Sequence, residues 1–135
     1  YLYFGRAAAK LDDVANYVPS RIGALLWILA SPLAGGNGKN SWKIWRRDRR
    51  NHASPNSAQT ESACAGSLGI QLAGPASYFG RIVDKPTIGD SEREVQREDI
   101  LRANKMMILS SVVGLVVGLA IRGAVIFLLG HYGIW

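Results

Sequence analysis

From Met106 to Gly130 the sequence runs for about 25 residues with almost no polar interruption, and few folds can accept such a stretch. As an α-helix rising about 1.5 Å per residue, it is long enough to cross the roughly 30 Å hydrocarbon layer of a membrane. The one charge inside it is Arg122. A guanidinium facing lipid is costly, so Arg122 is expected to face protein, water or a headgroup layer. Ser110, Gly114, Gly118 and Arg122 recur every fourth residue and share a helix face, on which Gly114 and Gly118 form a G-x-x-x-G pair suited to close packing. Two readings of Arg122 stand on this spacing: a snorkelling side chain beside a packing stripe, or a substrate-facing cation.

A second apolar block, Ile22 to Ala34, has only about 13 residues, short of the roughly 17 to 25 that a spanning helix needs. Starting it at Val14 brings in Asn16, Pro19 and Arg21, which suit a protein interior and not a lipid face. Segment 14–34 is therefore expected to be a hydrophobic helix that either spans or re-enters. Segment 35–105 opens on the flexible break Gly35-Gly-Asn-Gly-Lys39 and carries most of the charge behind the net +6. Its cations flank both apolar blocks, from Lys39 to Arg50 and from Arg93 to Lys105, whereas the tail after Gly130 has only His131. Cationic flanks stay on the cytoplasmic side, so 35–105 is expected there, ahead of a transmembrane helix over 106–130. The expected fold class is all-α: a fragment of a polytopic α-helical membrane protein with a cytoplasmic helical and loop segment between hydrophobic helices. Residues Tyr1 to Arg6 lack an initiator Met and the pattern of a secretory leader, so the chain reads as starting within a longer protein. A single cysteine, Cys64, excludes an internal disulfide.

Two local expectations concern the middle segment. Uncharged, Ala- and Gly-rich Ser62 to Gly80 suits a closely packed helix or a buried re-entrant piece. Ser91 with Glu94 matches a capping box and Glu98 with Arg102 an i, i+4 pair, predicting a solvated helix over Asp90 to Lys105.

Candidate chemistry sits in three stretches. In Lys10 to Arg21, a helix would put Asp12 and Asn16 on one face and Asp13 and Tyr17 on the next, so one or two carboxylates could hold a magnesium ion carrying phosphates. The plainer alternative is a helix start favoured by both acids, ended or kinked by Pro19. In Trp42 to Arg50, two tryptophans beside a basic run suit an interfacial helix, while Arg46, Arg47, Arg49 and Arg50 also suit a phosphate clamp. Directly after it, His52-Ala-Ser-Pro-Asn56 reads as a turn in which Asn56 caps the next helix, or as a site in which His52 accepts a proton or hydrogen-bonds a ligand. Lys85 sits in a Gly- and Pro-punctuated loop from which it could reach a phosphate. Gly36-Asn-Gly-Lys39 lacks the spacing of a phosphate-binding P-loop, and no nucleic-acid motif accompanies the basic run.

Four ordered blocks, Asp12-Asp-Val-Ala-Asn-Tyr-Val-Pro-Ser-Arg21, Trp45-Arg-Arg-Asp-Arg-Arg-Asn-His-Ala-Ser-Pro-Asn56, Gly66-Ser-Leu-Gly-Ile-Gln-Leu-Ala-Gly-Pro75 and Tyr78-Phe-Gly80 with Asp84-Lys-Pro-Thr-Ile-Gly89, together resemble the CobD/CbiB family. The resemblance runs from about Tyr3 to about Arg122 and covers the C-terminal part of a family member. Ser20 stands where the family often has Ala, and Ala53 where Ser is common; neither change removes an ionisable group. The resemblance implies adenosylcobinamide-phosphate synthase activity, in which adenosylcobyric acid is joined to aminopropanol phosphate or ethanolamine phosphate at the expense of ATP. It further implies Asp12 and Asp13 as magnesium ligands or amine-orienting groups and His52 as a catalytic residue. Asn16, Arg21, Arg47, Arg49, Ser54, Asn56 and Lys85 are implied as substrate or phosphate contacts. The implied partners are the corrinoid, the amino alcohol phosphate, the lipid bilayer and upstream helices of the same protein, with no nucleic acid; the fragment alone is expected to be inactive. A non-catalytic membrane regulator or scaffold is the competing class, and a basic nucleic-acid binder ranks last.

Overall fold

The computed structural model describes residues 2–132. Helices α1 (Leu2–Ala15) and α2 (Tyr17–Ala30) are separated only at Asn16. Pro19 has no N–H and its ring opposes the carbonyl of Ala15, four residues earlier, so the ladder breaks there. On either side it continues, with Asn16 N donating to Asp12 O at 2.9 Å and Ser20 N to Asn16 O at 3.0 Å. Pro19 therefore kinks this helical stretch and does not end it. With 14 residues, α2 by itself falls short of the roughly 17 that a span requires.

After a 3-10 turn at Pro32–Ala34, Gly35 adopts φ 85° and reverses the chain into α3 (Gly38–Asp48), capped by the Asn37 side chain, which accepts from Asn40 N at 3.0 Å. Helix α4 (Ser57–Leu68) returns antiparallel to α3. Hydrogen bonds from Asn40 Nδ2 to Gly66 O (2.9 Å), Ser41 Oγ to Ala63 O (2.7 Å) and Trp45 Nε1 to Gln59 Oε1 (3.1 Å) fasten the pair. Alanines dominate the core, with Ala24 and Ala63 around Trp45 in one cluster and Ala58 and Ala65 around Ile88 in another. Small residues let the helix backbones approach closely. A Cβ added at Gly66 would lie 2.7 Å from both Asn40 O and Ile44 Cβ.

The all-α expectation needs correction. Gly69, at φ 65°, ends α4, so the helix expected within Ser62 to Gly80 stops at Leu68. Four short strands follow, β1 (Leu72–Ala73), β2 (Ala76–Tyr78), β3 (Arg81–Val83) and β4 (Thr87–Ile88). They form two antiparallel pairs, β1 with β4 and β2 with β3. The β2–β3 turn is Phe79-Gly80, with φ 49° and 77°, the left-handed geometry that matches strand twist in tight hairpins. The β-branched and aromatic residues around it favour extended chain.

Helix α5 (Glu98–His131) has 34 residues and, among the described residues, is the one helix long and apolar enough to cross a membrane. Its start differs from expectation, because Ser91 to Gln96 is irregular and the Ser91–Glu94 capping box does not form. Asp99 takes that role. Its carboxylate accepts Gln96 N at 2.9 Å, two Arg93 nitrogens at 2.6 and 2.8 Å, and Arg102 Nη1 at 3.1 Å. A bidentate guanidinium plus a backbone donor outweighs a solvated Glu98–Arg102 pair, and Arg93 holds the Asp99 carboxyl well below the usual carboxylate range. Further along, Met106 is buried and Gly114 lies against Leu26, whereas a Cβ at Gly118 would touch nothing. One half of the G-x-x-x-G pair is thus used inside this chain. The outer faces of α2 (Ile22, Leu25, Leu29) and of α5 (Leu115, Leu119, Phe127) stay bare.

Gly66→Ala in the full-length protein is expected to weaken α3–α4 packing by about 1–3 kcal/mol, lowering the thermal midpoint in detergent. Gly5→Ala, where a Cβ meets nothing within 4 Å, should not lower it.

Candidate functional site

The kink at Pro19 turns the end of α1 toward the turn that precedes α4, and Asn56 fastens the two. Its Nδ2 donates to Asp13 O at 2.9 Å, while its Oδ1 accepts from Ser20 Oγ and Arg21 Nη1, both at 3.2 Å. The expected cap role is therefore absent: the Asn56 side chain makes no cap bond to α4. Ser54 Oγ donates to Asp13 Oδ1 at 2.9 Å. Arg21 reaches Pro55 O at 3.4 Å and lies 3.4 Å from the centroid of the Tyr17 ring, a cation–π contact. Asp13, Arg21, Ser54 and Asn56, separated in sequence, are thus one hydrogen-bonded group.

Asp12 lies apart from it. Its Oδ1 accepts Asn16 Nδ2 at 2.8 Å on an exposed face, as the i, i+4 spacing predicts. Consecutive helical residues point about 100° apart, and Asp12 bonds within its own helix while Asp13 bonds to Ser54. Among the described residues no three His, Cys, Asp or Glu side chains are grouped to hold a metal.

His52 Nδ1 accepts the Ser54 N–H at 3.0 Å. In the neutral form that bond leaves the ring proton on Nε2, from which His52 can donate to a ligand. The ring lies where three clefts meet. One, of about 480 Å³, is lined by Tyr17, Arg21, Arg49 and Arg50; the next, about 540 Å³, by Arg50, Asp84 and Lys85; the third, about 400 Å³, by Glu61, Tyr78 and Lys85. Arg49 stacks over Trp45 at 4.8 Å, and Lys85 Nζ donates to Tyr78 Oη at 2.6 Å. Four cations therefore surround one imidazole.

Arg47 is not among them. Its guanidinium pairs with Asp48 at 2.7 Å and with Asp90 at 2.8 Å. Asp48 is buried and also accepts Gly89 N at 2.8 Å, tying the loop that carries Lys85 to the last turn of α3. Gly89 is required there, since it has φ 85° and a Cβ would lie 2.4 Å from Ile70 O. The Arg47 guanidinium, then the Gly89 N–H, hold the Asp48 carboxyl below its ordinary value, against the opposing effect of burial. Burial pushes the Cys64 thiol up to about 11, which leaves it inert as a nucleophile at neutral pH.

Tyr17 and Tyr78 were not singled out as site residues from sequence, and Arg50 appeared there only as one of four arginines suited to a phosphate clamp. The Tyr17–Arg21 spacing of four was a usable signal, and nothing local ranks Arg50 above Arg47 or pairs Tyr78 with Lys85.

Fold and site together define a mostly helical protein with, among the described residues, one helix long and apolar enough to cross a membrane, and a ligand-sized cationic cleft beside a clasped carboxylate. Residues 1–107 match the family described as CobD/Cbib protein. The chain is 48% identical over 122 residues to cobalamin biosynthesis protein CobD of Clostridium perfringens, covering 90% of this chain and 39% of that protein. To CobD of Geobacter metallireducens it is 57% identical over 90 residues, 67% of this chain and 28% of that protein. To cobalamin biosynthesis protein CbiB of Salmonella typhimurium it is 45% identical over 122 residues, 90% and 38% of the two chains. The chain belongs to the CobD/CbiB family, and it spans less than two fifths of the length of these relatives. No solved structure matches it.

Because the folded value of Asp48 is depressed, its stabilisation is fully present above the ordinary carboxylate pKa near 4 and fades as pH falls through the folded value. Asp48→Asn is expected to lower the thermal midpoint at pH 7 by several degrees and to flatten its decline below about pH 4. Thermal scans across that window check both effects.

Proposed function

We propose that this chain forms the C-terminal part of an adenosylcobinamide-phosphate synthase, an amide-forming ligase of cobalamin biosynthesis. The observation that carries the reading is the placement of His52 among Arg21, Arg49, Arg50 and Lys85, at clefts of ligand size. Family membership supports it, since the relatives are named cobalamin biosynthesis proteins. Helix α5 spans the bilayer in this reading, with 35–105 on the cytoplasmic side where ATP is available. Upstream helices of a multi-pass protein cover the bare faces of α2 at Ile22 and Leu25 and of α5.

A carboxylate is a poor acyl donor. In the proposed reaction, an oxygen of the corrinoid carboxylate attacks the γ-phosphorus of ATP, the bond to the β-phosphate oxygen breaks, and ADP leaves. The amine of aminopropanol phosphate or ethanolamine phosphate, having lost its ammonium proton, then attacks the acyl carbon. The carbon–oxygen bond to phosphate breaks, inorganic phosphate leaves, and the nitrogen loses its second proton to form the amide. Both steps move dense negative charge, which guanidinium forks and an ammonium stabilise. Arg49, Arg50 and Lys85 hold phosphate oxygens, and the His52 Nε2–H donates to the same anion. The Asp13 carboxylate, kept in place by Ser54 and backed by Asn56, accepts hydrogen bonds from the amine and orients it. Magnesium enters the proposal with ATP as a requirement of the whole enzyme. Asp12 or Asp13 would offer it a carboxylate, and no step is routed through the ion.

Complementation of a strain lacking the synthase tests the activity directly. The complete reading frame is expected to restore corrinoid-dependent growth and the 135-residue piece alone to fail; failure of the complete frame would remove the reading. In the purified full-length enzyme, Arg49→Gln and Lys85→Gln should each raise KM for the amino alcohol phosphate about 10- to 100-fold, the value of one or two charge-assisted hydrogen bonds. Unchanged KM in both would move the phosphate elsewhere.

A further inference from the structure

We propose that the cleft where α2 ends against the first two turns of α3 binds an anionic phospholipid. Its cavity of about 890 Å³ has an apolar wall of Ile28, Leu29 and Pro32, faced by the ring of Trp42, with Lys39 at the rim. On the other side of Trp42 a second cleft carries Lys43, Arg46 and Arg47. Lys39, Lys43 and Arg46 are spaced i, i+4, i+7 and so occupy one exposed face of α3.

Ion pairs among the described residues engage Arg47, Arg93 and Arg102, and none engages these three cations. Arg47, on the same helix, is neutralised by two carboxylates. Three unneutralised cations beside an apolar slot are complementary to a molecule with an anionic head and a hydrocarbon tail.

The position of the cleft agrees with that occupant. Asn37 N donates to Ser67 O at 3.0 Å, and Ser67 Oγ to Met106 Sδ at 3.0 Å. The first turn of α3 therefore lies level with Met106, where the apolar run of α5 begins. Given that α5 spans, a point on which the inference rests, this is headgroup depth, where tryptophan rings concentrate. The acyl chain lies against Ile28, Leu29 and Trp42, and the phosphate against Lys39 and Lys43.

The test uses the full-length protein in nanodiscs containing brominated phosphatidylglycerol or, at equal mole fraction, brominated phosphatidylcholine. Bromine quenches nearby tryptophan, and the difference between wild type and Trp42→Phe isolates Trp42. Trp42 is expected to be quenched several-fold more by the anionic lipid. Each cation near a membrane surface is worth about fivefold in partitioning, so a Lys39→Gln/Lys43→Gln/Arg46→Gln variant should lose the preference. A Lys39→Arg/Lys43→Arg/Arg46→Lys variant should retain it, which separates charge from misfolding. Equal quenching by both lipids in the wild type overturns the proposal. So does a preference abolished by millimolar inorganic phosphate, which would mark a free-anion site, or a Trp42 quenched by neither lipid, which would mean a protein helix covers the cleft. Failure of the protein to enter nanodiscs would sink the spanning reading itself, a different result from loss of headgroup selection.

Discussion

The side chain of Asn56 makes the site possible. One end of its amide donates to the backbone of Asp13, the other accepts from Ser20 and Arg21, and so a single residue joins the last turn of α1 to the first turn of α2. Without this fastening the Pro19 kink would leave polar groups of the first helices facing nothing. With it, the Asp13 carboxylate, the Arg21 guanidinium and the Ser54 hydroxyl become one group at the edge of a cationic cleft. An amide suits the position because it offers a donor and an acceptor at once, where a carboxylate or an ammonium would satisfy only one side.

The basic run of α3 shows how helical phase assigns different work to similar residues. About 100° of rotation per residue separates neighbours. Lys39, Lys43 and Arg46 face outward, Arg47 turns toward two carboxylates, and Arg49 and Arg50 reach the cleft beyond the end of the helix. Trp45, buried between these faces, packs on Ala24 and Ala63 and gives Arg49 a ring to lie on. The charge of the run is thus divided into an inner brace, a cleft lining and an outer face.

Much of this was legible in the sequence, for physical reasons that can be named. A long apolar run has one inexpensive conformation, so α5 was readable. Pro19 and the i, i+4 spacing of Asp12 and Asn16 act within one or two turns, so the kinked helix and its hydrogen bond were readable too. Asp13 and Arg21 lay in one motif and Ser54 and Asn56 in another, and the structure gathers them. What escaped were outcomes of competition between distant groups. Arg47 resembled Arg49 until Asp48 and Asp90, the latter about forty residues away, claimed it. Ser91 and Glu94 had the spacing of a cap, yet Asp99 captured Arg93 and the backbone of Gln96, and the helix started later. The small strands depended on left-handed backbone at Phe79 and Gly80, and only the glycine advertises that geometry.

The spacing of the fasteners along the chain carries a further consequence, for the order of assembly. Helices α3 and α4 meet through residues close in sequence, while the Asn56–Asp13 bond closes a span of 43 residues and the Asp48–Gly89 bond one of 41. Closing longer loops costs more entropy and comes later. The α3–α4 hairpin is held by the shorter closures, and the loop that carries Lys85 is held by the longer one from Gly89 to Asp48. The cleft wall that carries Lys85 is therefore complete only when the chain has been made through Gly89.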